Sequence, residues 1–389
     1  MRVIHVITRL VVGGAQENTI ASVLGLQNKP GFSVELWSGP DAGTEGSMAA
    51  TFQSAGGHLE IIPQLIRSVH PWKDWRALRC LIRRFKTVRP DIVHTHSGKA
   101  GVLGRIAAAR ARVPVVIHTI HGPSFGPFQG SVANLLFTAA ERHAAHFTDH
   151  FVSVADAMSA QYLAAGIGHP DQYTTIRSGF DLNPFLASRN NPGLRKRLGI
   201  APDDVVIGTI ARLFKLKGHD DLIDAAPDIL RTCPRARFLL VGDGPWRKRL
   251  EAAAAARGVG DRFVFIGLVP PHAVPQYVGI MDLLVHLSRR EGLPRALPQA
   301  MAAGKPVVAF DCDGASEVCI EGRTGFLIPC GDRATLIKRV GELAANPSLR
   351  AQLGEAGRVL ARDSFSVERM VDSLHTLYLG LVEGEPGTK

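Results

Sequence analysis

A chain of 389 residues exceeds what one hydrophobic core usually organises, so two domains of roughly 150 to 200 residues each are expected. Its hydrophobic and charged fractions, 46% and 21%, are those of a soluble globular protein, and no apolar run reaches the roughly 18 residues that a membrane-spanning helix needs. The 5 cysteines are odd in number and form no CxxC pair, which argues against a disulfide framework and for free thiols in a reducing, cytoplasmic compartment.

The N-terminal stretch MRVIHVITRLVVGGAQ is apolar, but Arg9 interrupts it and no cleavage site follows, so it reads as a first strand rather than a leader. Short Val/Ile-rich runs then alternate with helical stretches. In the first half the expected strands are Val3 to Ile7, Val34 to Trp37, Asp91 to Thr95, Val115 to Thr119 and Phe151 to Val154. In the second half they are Val205 to Ala211, Arg237 to Val241, Phe263 to Ile266, Asp282 to Leu287 and Val307 to Phe310. Runs that are apolar on both faces belong to parallel sheets covered by helices, so the fold class is α/β with two Rossmann-like units. The polar, Pro-bearing stretch from Ser188 to Asp204 separates the two series and divides the chain into 1–187 and 188–365. A last helix, roughly Val367 to Val382 within 366–389, is apolar on one face through Met370, Leu374, Leu377 and Leu381.

Several groups in the first half could carry chemistry. Gly13 and Gly14 stand between the first strand and its helix, where glycines let backbone amides approach an anion or a sugar; a tight turn is the plainer account. In PWKDWRALRCLIRRFKTVRP, a helical face of Trp75, Leu78, Leu81, Ile82, Phe85 and Val88 lies largely opposite Arg76, Arg79, Arg83 and Lys86. From Arg67 to Arg112 there are twelve Lys or Arg residues against Asp74 and Asp91, within a net charge of +10. A helix packed on its own sheet with a solvated basic face explains this; the sharper reading is a peripheral contact with an anionic membrane or a lipid-linked acceptor. No module for nucleic acid is present. His94 and His96 share a strand face, a spacing used for metals, but no third ligand has recognisable spacing and no metal is expected. Lys99 and Arg105 are expected as cleft cations, and His118 and His121 follow at the next strand end, where a packed core histidine is the plainer account of His121.

The second half is denser. RLFKLKGHDDLIDA places Arg212 and Lys217 around a turn leading into a helix. Gly242, Asp243, Gly244 and Pro245 follow a strand and open a helix, with Pro245 suited to its first turn, and Gly267 to Val269 close another strand. In HLSRREGLPRALPQAMAAGKPVVAF, the apolar run Leu283 to Leu287 precedes Glu291, and Leu297, Ala300, Met301 and Ala303 follow at helical spacing. Ligands of open α/β sheets bind beyond the carboxyl ends of the strands, which puts Glu291 at a site edge. Gly292 permits a tight turn there, and Leu293 and Arg295 keep N–H groups near the helix start.

Taken in order from GGAQ to the terminal helix, these motifs resemble the family 4 retaining glycosyltransferases over nearly the whole chain. The resemblance implies the GT-B fold, two Rossmann-like domains facing each other across a cleft, with the last helix crossing back to the first domain. It implies a nucleotide-sugar donor held mainly by the second domain, a glycan or lipid-linked acceptor held by the first, and hexosyl or related transfer in polysaccharide biosynthesis. Configuration would be retained by front-face substitution, the departing phosphate assisting acceptor deprotonation, with no cofactor, metal or side-chain nucleophile. RLFKLKG resembles the family's GRLxxxKG element, whose Arg and Lys bind the donor pyrophosphate, here Arg212 and Lys217. A metal-free enzyme must meet the charge building on that leaving group with fixed cations and helix N-termini. Glu291 and Gln299 stand at the ends of the family's ExxxxxxxE pattern: Glu291 would orient the sugar, and Gln299 replaces the usual ribose-binding glutamate. Gly292, Leu293 and Arg295 fall in the donor-sugar loop, and Gly242 and Gly244 precede the loop of Gly267 and Val269 that reads the nucleobase. Asp313, Gly314 and Glu317 resemble the GGxxE loop near the donor sugar, while the DxD of Asp311 and Asp313 is a metal signature of a different glycosyltransferase fold. His121 matches the histidine beside the transferred sugar, and Gly13 and Gly14 belong to a loop the family uses at the cleft. The alternatives are a nucleotide-sugar epimerase or hydrolase of the same fold, or a catalytically silent binding or scaffold protein, to which Gln299 gives weight. The expected location is cytoplasmic, with a peripheral association at the inner membrane face as the sharper form.

Overall fold

The computed structural model describes residues 1–41, 46–126 and 128–384. They form two compact units, one comprising Met1–Phe180 and the chain from Val367 onward, the other Asp181–Ser366.

In unit one the strands are β1 (Arg2–Ile7), β2 (Ser33–Ser38), β3 (Leu59–Ile61), β4 (Ile92–His96), β5 (Val115–Ile120), β6 (His150–Ser153) and β7 (Tyr173–Thr175). Their order is β3-β2-β1-β4-β5-β6-β7, with every pairing parallel. Its helices are α1 (Gly14–Gln27), α2 (Ala49–Ser54), α3 (Pro71–Val88), α4 (Gly98–Ala111), α5 (Ser131–Ala145) and α6 (Asp156–Ala164). Side chains alternate across a strand. Val3 and Ile7 of β1 therefore join a core with α1 and the C-terminal helix, while Ile4 and Val6 join one with α3 and α4.

Unit two holds β8 (Val205–Ile210), β9 (Ala236–Val241), β10 (Phe263–Gly267), β11 (Leu283–His286), β12 (Val307–Phe310) and β13 (Gly325–Ile328), ordered β10-β9-β8-β11-β12-β13 and again parallel. Its helices are α7 (Asn183–Leu186), α8 (Pro192–Arg197), α9 (His219–Thr232), α10 (Arg247–Ala256), α11 (Val274–Gly279), α12 (Ala296–Ala302), α13 (Arg333–Ala345) and α14 (Pro347–Ser364). The boundary lies ahead of the polar stretch read from sequence. Phe185 of α7 is buried, α7 packs on α11 and α12, and Arg358 of α14 donates to the Leu186 carbonyl, so this short helix belongs to unit two.

The C-terminal helix α15 (Val367–Glu383) packs against α1 in unit one. A Cβ on Gly25 of α1 would come 2.4 Å from Val371, so this close helix contact needs glycine there. The buried face of α15 is Met370, Val371, Leu374 and Tyr378; Leu377 and Leu381, expected in that stripe, are only partly covered. On α3 the buried residues are Ala77, Leu81 and Phe85, with Phe85 stacked on Trp37. Trp75 was expected on this face but is 45% exposed: it stacks on Trp72, and Arg79 lies over its ring.

Each sheet reverses its winding once. The chain leaves β1 for β2 and β3 and returns to the other side of β1 at β4; it repeats this with β8, β9, β10 and then β11. Ligands of open α/β sheets bind beyond the carboxyl ends of the strands at such a reversal, so the loops there are where a site is to be sought.

Candidate functional site

In unit two the loops on either side of the reversal meet. The loop after β8 runs to Gly218, whose φ is 68° and whose missing Cβ would lie 2.0 Å from the Leu287 carbonyl oxygen. Leu216 also has a positive φ, 75°, and its carbonyl accepts from Arg289 N at 2.8 Å and Ser288 Oγ at 3.3 Å. A non-glycine residue held in this region costs of order 1 kcal/mol, sustained here by the two bonds from the opposite loop. Lys217, between these left-handed residues, donates to Glu291 Oε1 at 2.5 Å. His286, the last residue of β11, donates through Nε2 to the same oxygen at 3.2 Å. Asp313 accepts from Glu291 N at 2.7 Å, and Gly314 N bonds the Gly292 carbonyl at 3.1 Å, so the loop after β12 fixes the backbone of this acid. Burial alone would raise the Glu291 carboxyl, but the Lys217 ammonium and the His286 hydrogen bond outweigh it and hold the group well below the usual carboxylate range. It is an anion poised beside a cation.

Around this pair the loops are stacked by close backbone approach. A Cβ at Gly242, φ 138°, would lie 2.1 Å from the Ala211 carbonyl, and one at Gly244 2.4 Å from that of Leu213. Leu213 N and Trp246 N complete the contact with bonds to Asp243 O and Leu213 O, and Gly242 N bonds the Gly267 carbonyl. The exposed Arg212 guanidinium lies over the Phe214 ring, while its carbonyl accepts from the neutral, buried His219. Val269 is half-buried just beyond β10. Pro245 precedes the N-cap Trp246 of α10, so it stands before the helix and not in its first turn as expected. Arg295 is the N-cap of α12, whose seven residues are all buried; Leu293 and Gln299 are 8% and 7% exposed, and Glu317 ends a half-buried 3₁₀ turn.

In unit one, Gly13 caps α1 in extended conformation and Gly14 opens the helix. His121 lies just beyond β5, half-buried, with Nε2 3.0 Å from His96 Nδ1. Lys99 and Arg105, the two cations expected at the cleft on the acceptor side, are otherwise engaged. Arg105 is fully buried and bonded to Glu141, itself 2% exposed, because the register of α4 turns it inward toward α5; it is not a surface cation. Lys99 is paired with Asp74 of α3 at 2.6 Å and also donates to the Ser68 carbonyl. The expectation that His94 and His96 lack a third potential ligand is also corrected. Parallel pairing sets His5 of β1 opposite His94, and one ligand atom from each of His5, His94 and His96 lies within 4.8 Å of the others. Sequence reasoning missed His5, His286 and the anchoring role of Asp313. The signal available for His286 was its place at a strand end five residues before the acid.

Two Rossmann-like units with charged and glycine-rich loops beyond their carboxyl strand ends define the GT-B class of glycosyltransferase. Residues 12–184 match the family described as Glycosyltransferase Family 4 and residues 190–360 that described as Glycosyl transferases group 1, and the chain belongs to this glycosyltransferase family. It is similar to the 2-deoxystreptamine glucosyltransferase of Streptomyces kanamyceticus, 30% identical over 71% of this chain and 74% of that protein. It is also similar to the UDP-Gal:alpha-D-GlcNAc-diphosphoundecaprenol alpha-1,3-galactosyltransferase of Escherichia coli, 27% identical over 82% of this chain and 83% of that one. Among solved structures, Anabaena HepE in complex with UDP-glucose has a TM-score of 0.82 at 23% identity, covering 98% of this chain and 100% of the other, a likeness of fold.

Proposed function

We propose that the protein moves a hexosyl or related sugar from a nucleotide donor, held by unit two, to a glycan or lipid-linked acceptor held by unit one, with retention of configuration. The observation that carries this reading is the Lys217–Glu291 pair at the sheet reversal, with Lys217 on the loop that also carries the exposed Arg212. As the anomeric C–O bond to the diphosphate breaks, negative charge grows on the departing oxygen and Arg212 and Lys217 offset it. The acceptor hydroxyl attacks the same face of the sugar, and its proton passes to the departing phosphate. Glu291 accepts hydrogen bonds from sugar hydroxyls, and His121 helps position them. The Escherichia coli relative, named for UDP-Gal and a diphosphoundecaprenol acceptor, and HepE with UDP-glucose support the donor and acceptor classes.

A thermal-shift screen with UDP, GDP and ADP sugars, followed by NMR of the product linkage, tests this. One donor is expected to stabilise the protein, and the new linkage to keep the donor's anomeric configuration. An inverted product would overturn retention, and rapid loss of donor without an acceptor would favour the hydrolase reading. Gln299 is compatible with activity, since an amide oxygen can still accept one ribose hydrogen bond. Neutral bonds net about 0.5 to 1.5 kcal/mol and charged ones about 1.5 to 3, so Gln299→Glu is expected to change donor KM by about tenfold or less. A wild type that neither binds nor turns over any nucleotide sugar, beside an active Gln299→Glu, would establish the scaffold reading.

No helix among the described residues is long and apolar enough to cross a membrane. A lipid-linked acceptor would instead be met at the surface, where α3 exposes Arg76, Arg79, Arg83 and Lys86 beside Trp72 and Trp75. With about 1 kcal/mol per well-placed base, the protein is expected to sediment with anionic vesicles at low salt, and charge reversal of Arg79 and Arg83 to release it without changing nucleotide binding. Unchanged sedimentation of that double variant would leave α3 as a packed helix with a solvated basic face.

A further inference from the structure

The apolar sheet of unit one carries a row of polar side chains across β1, β4 and β5. His5 pairs in register with His94 and His96 with Thr119, and residues two apart on a strand share a face, so the row continues to His121 just past β5. His5, His94, His96 and Tyr378 of α15 are all buried. Burying such groups is costly unless each is hydrogen-bonded. Here each bond leads to the next. Thr119 Oγ1 lies 2.6 Å from His94 Nε2, His94 Nδ1 2.5 Å from the Tyr378 hydroxyl, and that hydroxyl 3.3 Å from His5 Nε2. His5 Nδ1 is 2.9 Å from His96 Nε2, and His96 Nδ1 is 3.0 Å from His121 Nε2. Both ring nitrogens of all three buried histidines are used.

Burial lowers every imidazole in the row, His5 to about 3, His121 to about 4, and His94 and His96 well below the ordinary value, so all are neutral at pH 7. A neutral imidazole has one N–H and one lone pair, and a phenol one proton. A ring that accepts at one nitrogen must donate at the other, and a Tyr378 hydroxyl that accepted from both neighbours would leave its own buried proton unbonded, so with every proton used the row has two polarities, each running one way from end to end. The polarity decides whether His121 Nε2 accepts or donates, and hence whether its Nδ1 bears hydrogen.

We propose that Thr119, His94, Tyr378, His5 and His96 are positioning residues that hold His121 in one neutral tautomer toward the transferred sugar, with Tyr378 as the link contributed by the C-terminal helix. This rests on the reading that places His121 beside the sugar. A divalent ion on His5, His94 and His96 is the competing occupant. It would break bonds that satisfy every nitrogen, and none of these three ligands is a carboxylate that would offset its charge in the core.

The test is Tyr378→Phe in the full chain, which keeps the ring and cuts the row in two. Histidine-selective ¹⁵N spectra, with His121 assigned through its loss in His121→Ala, are expected to show one neutral tautomer in the wild type and averaging of two in the variant. Outer groups that orient a functional histidine commonly matter by about tenfold or more, so kcat is expected to fall about tenfold with donor KM unchanged. Thr119→Val, cutting only the far end, should give the same signature more weakly and serves if Tyr378→Phe fails to fold. If His121→Ala keeps full kcat, the placement of His121 is wrong and the relay falls with it. If His121→Ala is impaired but neither cut changes the His121 tautomer or kcat, the relay alone is overturned, as it is if the purified protein holds stoichiometric metal that His5→Gln releases.

Discussion

Lys217→Ala is expected to lower turnover about a hundredfold with the fold intact. A fixed donor aimed at developing oxyanion charge is worth about 3 kcal/mol in the transition state, and 1.36 kcal/mol is a factor of ten in rate. Lys217 is well fixed: residues of positive φ flank it, and Glu291 holds its ammonium. Its loss also leaves the Glu291 carboxylate without its main counter-charge. Removing one partner of a deeply buried pair costs about 3 to 5 kcal/mol, but these side chains are 24% and 17% exposed and solvent screens part of that. A drop of a few degrees in Tm is therefore expected beside the kinetic loss, and initial rates with circular dichroism melting separate the two. Arg212→Ala, which leaves the Lys217–Glu291 pair in place, should lose at least tenfold in rate with the fold intact. Chelator should change either rate little, because the cations are side chains. Full activity in both purified variants would remove the leaving-group assignment.

Central strands were legible because a parallel strand buried on both faces leaves a continuous apolar run, and β12 runs from Val307 to Phe310 as the sequence suggests. The strands missed were β3, β7 and β13. All three are edge strands: LEI and YTT are three residues long, half-buried or exposed, and carry no such signature, while GFLI of β13 starts on a glycine and leaves Leu327 only partly buried. Helix faces were less legible than helices. The spacing on α3 admits Trp75 to the apolar stripe, but that stripe is filled by Ala77, Leu81 and Phe85, near the N-terminal end of which the tryptophan overhangs into solvent. In the same way nothing local distinguishes Arg105, turned inward to Glu141, from a surface arginine.

The site divides similarly. Glu291 and the Arg212–Lys217 turn could be placed beyond strand ends from their own neighbours in sequence. That they touch depends on β8 and β11 being adjacent, a property of strand order that no local pattern carries. Order likewise brings His5 to His94 and His96, whose shared face is legible on one strand while their relation to His5 is not until β1 and β4 pair. Long-range sheet pairing thus assembles both the charged pair in unit two and the histidine row in unit one from short segments whose chemistry, but not proximity, is written locally.

Glu291→Gln should be the complementary case, damaging transfer more than folding. The carboxylate can accept charged hydrogen bonds of about 1.5 to 3 kcal/mol each from sugar hydroxyls, and a neutral amide recovers about half of each, so with two such bonds a loss of about tenfold to a hundredfold in kcat/KM is expected. His286 can still donate to the amide oxygen, and Asp313 still accepts from the backbone N–H, so the loop keeps its geometry. The stability effect carries a pH signature. The folded carboxyl lies below its unfolded value of about 4.3, so its ionised form stabilises the fold above that pH and the contribution fades as pH falls through the folded value. Wild type should therefore exceed Glu291→Gln in Tm at neutral pH, with the gap closing below about pH 4. Melting curves from pH 3 to 8, measured beside initial rates, test both claims. A pH-dependent loss of Tm with unchanged kinetics would make Glu291 a structural partner of Lys217 only. Kinetic loss without that pH dependence would instead show that the pair does not hold Lys217 in the folded protein.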